Sequence, residues 1–213
     1  MLRMTIFAVS LALAQWSLAG PAAACTGEKI LFQENFAAAD PVLWGSLPAH
    51  FQVRDGKVTV RPPAQSETYQ FESGFAFEDA DICLTVTLLE TTDPTNSFGG
   101  LLFWVKDKAN FYVLNVASIG YYQVRRKIAG QWVAPEVIGW TQTKDVKQGP
   151  NQPNTVRVTL KGQSVAIAIN GNDVIRFRAQ APEAPSFVGL YAASAEAKAD
   201  AWQFSNLKVT NVK

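Results

Sequence analysis

Short runs of alternating apolar and polar residues, each closed by a turn signal, recur from about residue 30 to the end of the chain. In the clearest run, Asp81–Glu90, the apolar residues at 82, 84, 86 and 88 share one face, which is typical of a half-buried strand. Asp55-Gly56 and Asn170-Gly171 favour two-residue hairpin turns. No run after the first 24 residues keeps a helical period over three turns. The pattern predicts an all-β fold of about a dozen short strands, in a sandwich or barrel.

Several segments carry weaker signals. Phe75–Phe77 is predicted as a short strand and Gln131–Ile138 as a weak one, whereas Trp140–Pro153 is rich in Gln, Lys, Pro and Gly and is predicted to be irregular. No Pro/Ser-rich linker divides the chain, so residues 25–213 are predicted to form one domain.

Composition and charge restrict the function. Hydrophobic residues make up 48% of the chain, enough to bury a core without metals or many disulfides. The formal net charge of +1 gives no long-range field for nucleic acid or an anionic membrane. Arg125 and Arg126 alternate across a predicted strand, so they do not form one basic patch. No nucleic-acid partner is expected.

The first 24 residues have the order of a signal peptide. Arg3 precedes the uncharged, mostly apolar run Thr5–Leu18, and Gly20-Pro21 then leads to three alanines at 22–24. The run is too short to span ~30 Å of hydrocarbon comfortably. A genuine N-terminal anchor helix is the alternative. We expect cleavage near Ala24, export to the periplasm or the extracellular space, and no membrane span in the mature chain.

The expected state of the two cysteines depends on the predicted export. Cys25 is the first residue of the expected mature chain, and Cys83 lies in the predicted strand Asp81–Glu90. An oxidising compartment favours a Cys25–Cys83 disulfide. A lipidated Cys25 and two free thiols are the alternatives; bacterial lipoproteins usually have Leu where this chain has Ala22.

The middle and the end of the chain resemble a known group of proteins. The residues that carry the likeness are mostly turn and core residues, spread over about residues 30–212: Gly100–Trp104, Asp107, Asn110–Tyr112, Tyr121–Val124, Gly130–Trp132, Asn154–Val158, Val165–Gly171, Val188–Tyr191 and Trp202–Val209. This pattern resembles the concanavalin A-like lectin/glucanase superfamily, in its branch of 3-keto-disaccharide hydrolases and laminin-G-like domains. The resemblance implies a single jelly-roll sandwich of two antiparallel sheets, with sugars bound on a concave face or its rim.

The scaffold does not transfer an activity, since it hosts enzymes, lectins and inert modules. Retaining glucanases on it carry a Glu-x-Asp-x-x-Glu run on one strand, and this chain has none. The nearest acidic cluster, Glu78, Asp79 and Asp81, precedes a strand. His50 is the single histidine, too few for a His-rich metal site. Catalytic residues are not identified, and neither a metal nor a cofactor is predicted.

The aromatic residues of the middle third suggest a ligand site, because sugar sites combine flat aromatic walls with a few directed polar groups. Strand alternation places one set of side chains together on the face opposite the core. The predicted groove consists of Trp104, Asn115, Tyr121, Gln123 and Arg125, with Trp132 or Trp140 at its rim. The alternative is that these residues fill or cover a sheet, where aromatics are favoured anyway.

Three functions follow from these observations. The first is an exported module that binds a glycan or another extracytoplasmic ligand on its concave sheet. The second is a glycoside-processing hydrolase like the 3-keto-disaccharide hydrolases. The third is a structural protein of the cell envelope. Oligomeric state and ligand identity are not predicted.

Overall fold

A computed structural model describes residues 25–194 and 200–213. The predicted signal peptide, residues 1–24, lies outside the described residues. Those described form fifteen strands and one four-residue helix: β1 Ile30–Glu34, α1 Pro41–Trp44, β2 Phe51–Arg54, β3 Lys57–Val60, β4 Ser66–Phe71, β5 Ala80–Glu90, β6 Ser97–Asp107, β7 Asn110–Ala117, β8 Tyr121–Ile128, β9 Gln131–Trp132, β10 Ile138–Gln142, β11 Asn154–Lys161, β12 Ser164–Ile169, β13 Asn172–Arg178, β14 Phe187–Ser194 and β15 Ala201–Thr210.

The strands form two antiparallel sheets. The eight-stranded sheet has the order β13-β12-β11-β5-β15-β3-β2, and β1 pairs with the end of β15. The seven-stranded sheet has the order β10-β8-β7-β6-β14-β4, and β9 pairs with β8. The chain crosses repeatedly between the sheets, so neighbours such as β5 and β15 are far apart in sequence. The predicted all-β jelly-roll sandwich is confirmed.

The core lies between the sheets and is built by the alternation seen in the sequence. Ile82, Leu84, Val86 and Leu88 of β5 are all fully or almost fully buried. Trp202 of β15 packs against the backbone of Gly99, where a Cβ atom would lie 2.3 Å from the indole ring. The Trp202 indole N–H donates to the Ser97 hydroxyl at 2.9 Å, which satisfies its polar atom inside the core.

The start of the described chain is fixed to the eight-stranded sheet. Cys25 and Cys83 form a disulfide, as predicted. The Thr26 backbone N–H and hydroxyl donate to one carboxylate oxygen of buried Asp81, at 2.7 and 3.0 Å, and the Thr159 hydroxyl donates to the other at 2.8 Å. These contacts hold the segment before β1 against β5. Within the described ranges, no helix is long and apolar enough to cross a bilayer.

Four segments differ from the sequence-based prediction. Of the predicted weak strand Gln131–Ile138, only Gln131–Trp132 and Ile138 lie in strands, β9 and β10. Ser66–Phe71 is a strand that the sequence did not indicate, and Ile138–Gln142 is a strand where the irregular stretch was predicted to begin. Residues 75–77 contribute a single bridge, from Phe77 to Ser186, in place of a strand. β4 and β10 lie at the two edges of the seven-stranded sheet, where one partner strand suffices to hold a polar segment.

Candidate functional site

The candidate site lies on the face of the seven-stranded sheet that points away from the other sheet, called here the outer face. Cross-strand pairing aligns its side chains in rows. One row runs across β14, β6, β7 and β8 and contains Tyr191, Gly100, Asn115 and Gln123. The next row on one side contains the pair Arg125–Val113, and the next row on the other side contains the pair Tyr121–Ala117. Asn115, Tyr121, Gln123 and Arg125 therefore share one face, as the alternation predicted.

Trp104 does not lie on this face. Pairing between β6 and β7 is irregular from Phe103 to Asp107, and Trp104 has a φ of +48°. This bulge keeps Trp104 in the main core, where it is 3% exposed and packs edge-on against Tyr112 at 5.3 Å, and it moves Val105 to the outer face. The alternation that placed Trp104 in the groove is interrupted at this point.

The outer face has a buried apolar cluster of its own, formed by Leu102, Val105, Phe111, Val113 and Tyr191. Trp132 of β9 covers it, with its ring edge-on to Phe111 at 5.7 Å and to Tyr191 at 6.3 Å. Because β8, β7 and β6 lie between β9 and β14, the Trp132–Tyr191 contact crosses the sheet. The cluster holds these two rings in fixed positions.

A second aromatic contact crosses the sheet at the start of β6. Phe98 of β6 and Trp140 of β10 have ring centroids 4.7 Å apart, although β7 and β8 lie between their strands. By strand register, Phe98 lies in the row of Ala117 and Tyr121, next to the row that contains Asn115 and Gln123. Trp140 remains 40% exposed, so one side of its indole faces solvent.

Asn115 is a buried, unpaired amide on this face. Its side chain has no exposed surface, and neither its amide nitrogen nor its amide oxygen has a hydrogen-bond partner. Gly100 on one side offers no side chain, and Gln123 on the other side is 5% exposed. An unpaired buried amide costs about 1–3 kcal/mol, so this position is not optimised for stability alone.

Arg125 stacks on the outer side of Trp132. Its guanidinium carbon lies 3.8 Å from the indole centroid, and the side chain is half-buried. Such a contact orients the guanidinium plane parallel to the indole face. The Arg125 guanidinium forms no hydrogen bond or ion pair with any residue in the described part of the chain, so its N–H groups are available.

The other cation of this face is paired. The Lys127 ammonium lies 4.6 Å from the Trp132 ring and 2.5 Å from a carboxylate oxygen of Glu67. The other Glu67 oxygen accepts a hydrogen bond from the Tyr191 hydroxyl at 2.8 Å. Burial, together with the negative charge of Glu67, holds the pKa of Tyr191 well above its ordinary value. Tyr191 is therefore a neutral donor at any physiological pH.

A cleft of about 450 Å³ opens between these groups. Its aromatic walls are Phe98 and Tyr191, and the polar groups beside them come from the beginnings of β4 and β6, the end of β14 and the middle of β8. Its lining residues are Gln65, Ser66, Glu67, Asn96, Phe98, Arg125, Tyr191, Ala193 and Ser194. Of the predicted groove, Arg125 lines this cleft and Asn115 and Gln123 lie together in the adjoining row. Trp132 and Trp140 each supply one ring of an aromatic contact that crosses the sheet.

Carboxylates are sparse on this sheet. Among the described residues, its strands carry Glu67 and Asp107, and Asp107 is bound within the β6–β7 turn to Ala109 and Asn110. Asp79 accepts from the Gly162 backbone, and Asp81 belongs to the eight-stranded sheet. His50 precedes β2 of that same sheet. These groups lie apart from the outer face.

The described residues contain one cluster with the chemistry of metal ligands, Cys25, Asp81 and Cys83. Both sulfurs belong to the disulfide and offer no thiolate. This group is part of the attachment of the N-terminal segment.

Trp104 and Tyr112 contribute to a second cavity of about 390 Å³, which residues 180–185 also line. There the Tyr112 hydroxyl donates to the Gln180 carbonyl at 3.0 Å, and Arg126 donates to the Gln180 side chain at 3.1 Å. Arg125 and Arg126 thus serve different cavities, which agrees with their predicted alternation.

Sequence reasoning missed Glu67, Phe98, Lys127 and Tyr191. Tyr191 and Lys127 have the parity of outward-facing positions on β14 and β8, which the sequence displays once those strands are assigned. Glu67 had no such signal, because β4 was not recognised.

Comparison with known proteins gives a likeness of structure alone. No family model and no curated protein sequence matches the chain. The carbohydrate-binding module CBM66 from Bacillus subtilis matches with a TM-score of 0.58 and 17% identity, over 72% of this chain and 86% of its own. The β-glucanase from Bacillus licheniformis has a TM-score of 0.62 and 9% identity, over 85% and 98%. The carbohydrate recognition domain of Emp46p in its potassium-bound form has a TM-score of 0.64 and 11% identity, over 87% and 98%. The chain therefore has the concanavalin A-like fold that its sequence resemblance predicted.

Proposed function

We propose that this protein is an exported, non-catalytic module that binds a glycan on the outer face of its seven-stranded sheet. One observation carries the proposal: the unpaired guanidinium of Arg125, stacked on Trp132, borders a cleft of about 450 Å³ whose walls are Phe98 and Tyr191.

The chemistry of the cleft suits a sugar. Pyranose rings present apolar C–H faces to aromatic rings and hydroxyl groups to polar side chains, and sugar sites combine the two. Phe98 in the cleft and exposed Trp140, which contacts Phe98, provide accessible rings, and Gln65 and Asn96 provide exposed amides. The rings are held by packing, so little order has to be gained on binding.

The comparisons support this class of ligand. The matched structures include a carbohydrate-binding module, a carbohydrate recognition domain and a β-glucanase. A similar fold at this low sequence identity does not by itself show that this chain has the activity of those proteins. It adds weight to a site that already combines aromatic and polar groups.

Export is part of the proposal. The Cys25–Cys83 disulfide suits an oxidising compartment, and the signal-peptide order of residues 1–24 supplies the route. Cleavage near Ala24 leaves Cys25 as the first residue, directly before the contacts that attach the chain to β5.

A glycoside-processing hydrolase is the second candidate, favoured by Glu67 at the cleft. Hydrolysis with two carboxylates needs a pair about 5–9.5 Å apart, and Glu67 is already bonded to Lys127 and Tyr191. A binding module requires no second carboxylate, so it is the simpler account of this face.

Glycan-array binding of protein purified after expression of the full-length chain tests the proposal. Trp140→Ala removes a ring from the outer face and should weaken binding at least tenfold, about 1.4 kcal/mol. Phe75→Ala is the matched control, because Phe75 is similarly exposed, 45% against 40%, and lies outside the outer face.

The control should bind like the unmodified protein. Absence of binding to every glycan, or equal binding by Trp140→Ala, would contradict the proposed site. Trp104→Ala is unsuitable here, because removing a buried ring would change the stability of the fold.

A further inference from the structure

The charges of the outer face do not balance. Arg125, Lys127 and Glu67 are the charged side chains gathered around Trp132 and Tyr191. Lys127 and Glu67 neutralise each other at 2.5 Å, and Tyr191 stays protonated. One positive charge, that of Arg125, remains at the border of the cleft.

The geometry of Arg125 is that of a prepared anion receptor. Contact with Trp132 at 3.8 Å occupies one face of the guanidinium, so its N–H donors point outward in the plane. Its half-buried position removes part of its hydration, and no described residue supplies a compensating acceptor. A half-buried charge of this kind gains most from a ligand that brings an opposite charge.

Apart from Glu67, whose charge is paired with Lys127, the polar side chains that line the cleft beside Arg125 are neutral. Gln65, Ser66 and Asn96 line the same cleft, and the Ser66 hydroxyl donates to the Pro63 carbonyl at 2.8 Å. These side chains suit hydroxyl groups and do not provide a second cation. The cleft therefore matches a ligand with one negative group among many hydroxyls.

Resting on the proposed function, we propose that the glycan carries a carboxylate, as a uronic acid residue does, and that Arg125 binds this carboxylate edge-on through two N–H···O hydrogen bonds. A planar carboxylate fits the guanidinium fork, and the sugar ring then lies against the aromatic walls of the cleft. The single charge of a carboxylate also equals the single unpaired charge of Arg125.

Titration calorimetry with paired oligosaccharides tests the inference. The test compares uronate oligomers, of galacturonate, glucuronate and mannuronate, with the same oligomers after reduction of their carboxyl groups. The buffer contains about 0.15 M salt, which screens non-specific electrostatic attraction. At least one acidic oligomer should bind ten or more times more tightly than its reduced partner. Sulfated neutral oligomers of equal length form a third arm and should bind more weakly than that uronate.

Two substitutions assign the effect to a residue. Arg125→Gln should abolish the preference for the acidic oligomer. Arg126→Gln removes the same charge from the next residue, which faces the other cavity and bonds to Gln180, and should keep the preference. Arg125→Lys should keep only part of the preference for the acidic oligomer, since an ammonium lacks the paired N–H donors of a guanidinium. Unchanged thermal unfolding shows that each variant is folded.

The outcomes separate the two proposals. Equal binding of acidic and reduced oligomers, a preference for sulfate, or a preference that survives Arg125→Gln would overturn the carboxylate assignment and leave glycan binding in place. Absence of binding to all three series and to the wider glycan array would overturn both.

Discussion

Trp104 and Trp140 show how much depends on the position of one residue. Both appear similar in sequence, yet Trp104 on interior strand β6 is 3% exposed and Trp140 on edge strand β10 is 40% exposed. The difference arises from the bulge after Phe103, which inverts the alternation of β6 for its last residues. A period of two assigns faces reliably along β7 and β8, where the register is regular, and fails where a strand gains an extra residue.

Glu72, directly after β4, is a buried carboxyl whose titration should be measurable. One oxygen accepts from the Gly74 and Phe75 backbone N–H groups, and the other has no partner. Burial outweighs these hydrogen bonds and raises the pKa of Glu72 to about 7, from an ordinary 4.5. The folded state therefore binds this proton more tightly than the unfolded chain does.

The contribution of Glu72 to stability should be full below about pH 4.5 and should be lost as pH rises to about 7, by up to about 3 kcal/mol. Urea unfolding of the protein and of Glu72→Gln from pH 5 to pH 8 measures this. As pH rises, the unmodified protein should lose stability relative to Glu72→Gln. A difference that stays constant over this range would show that Glu72 titrates normally.

At the level of elements, the sequence predicted interior strands better than edge strands. β5, β7 and β8 lie between two partners and carry continuous apolar alternation on their core face, so their pattern is strong. β4 and β10 are edge strands with polar residues and received no such signal. The cleft therefore could be predicted only in part: Arg125 lies on β8, whereas Glu67 lies on unrecognised β4.

The attachment of the N-terminal segment should contribute strongly to stability. The disulfide joins residues 58 apart, and closing a loop of that size is worth about 4 kcal/mol in the chain-entropy model. Cys25→Ala combined with Cys83→Ala should lower the free energy of unfolding by about that amount in urea titration. Reductant should lower the stability of the unmodified protein and have no effect on the double variant. Equal stability of the two proteins would mean that the disulfide does not stabilise the fold.

At the scale of the whole molecule, the two outer surfaces of the sandwich differ in chemistry. The outer surface of the eight-stranded sheet presents half-exposed Thr59, Thr85, Thr87, Gln203 and Ser205, a uniformly polar set typical of a solvated face. The outer face of the seven-stranded sheet carries a buried cluster, two aromatic crossings and an unpaired guanidinium. The outer surface of the eight-stranded sheet also carries buried Asp81 and the disulfide, which attach the N-terminal segment. Among the described residues, the aromatic crossings and the unpaired guanidinium lie on the outer face of the seven-stranded sheet.

Amide chemical-shift mapping locates a bound glycan on the protein and so tests binding on the outer face. The protein is titrated with the glycan that binds best in the array. The largest shifts are predicted in β8 at residues 121–125, at the start of β6 around Phe98, in β14 at residues 191–194, and in the indole signals of Trp132 and Trp140. Shifts confined to the threonine-bearing surface of the eight-stranded sheet, or to the cavity beside residues 180–185, would contradict the account.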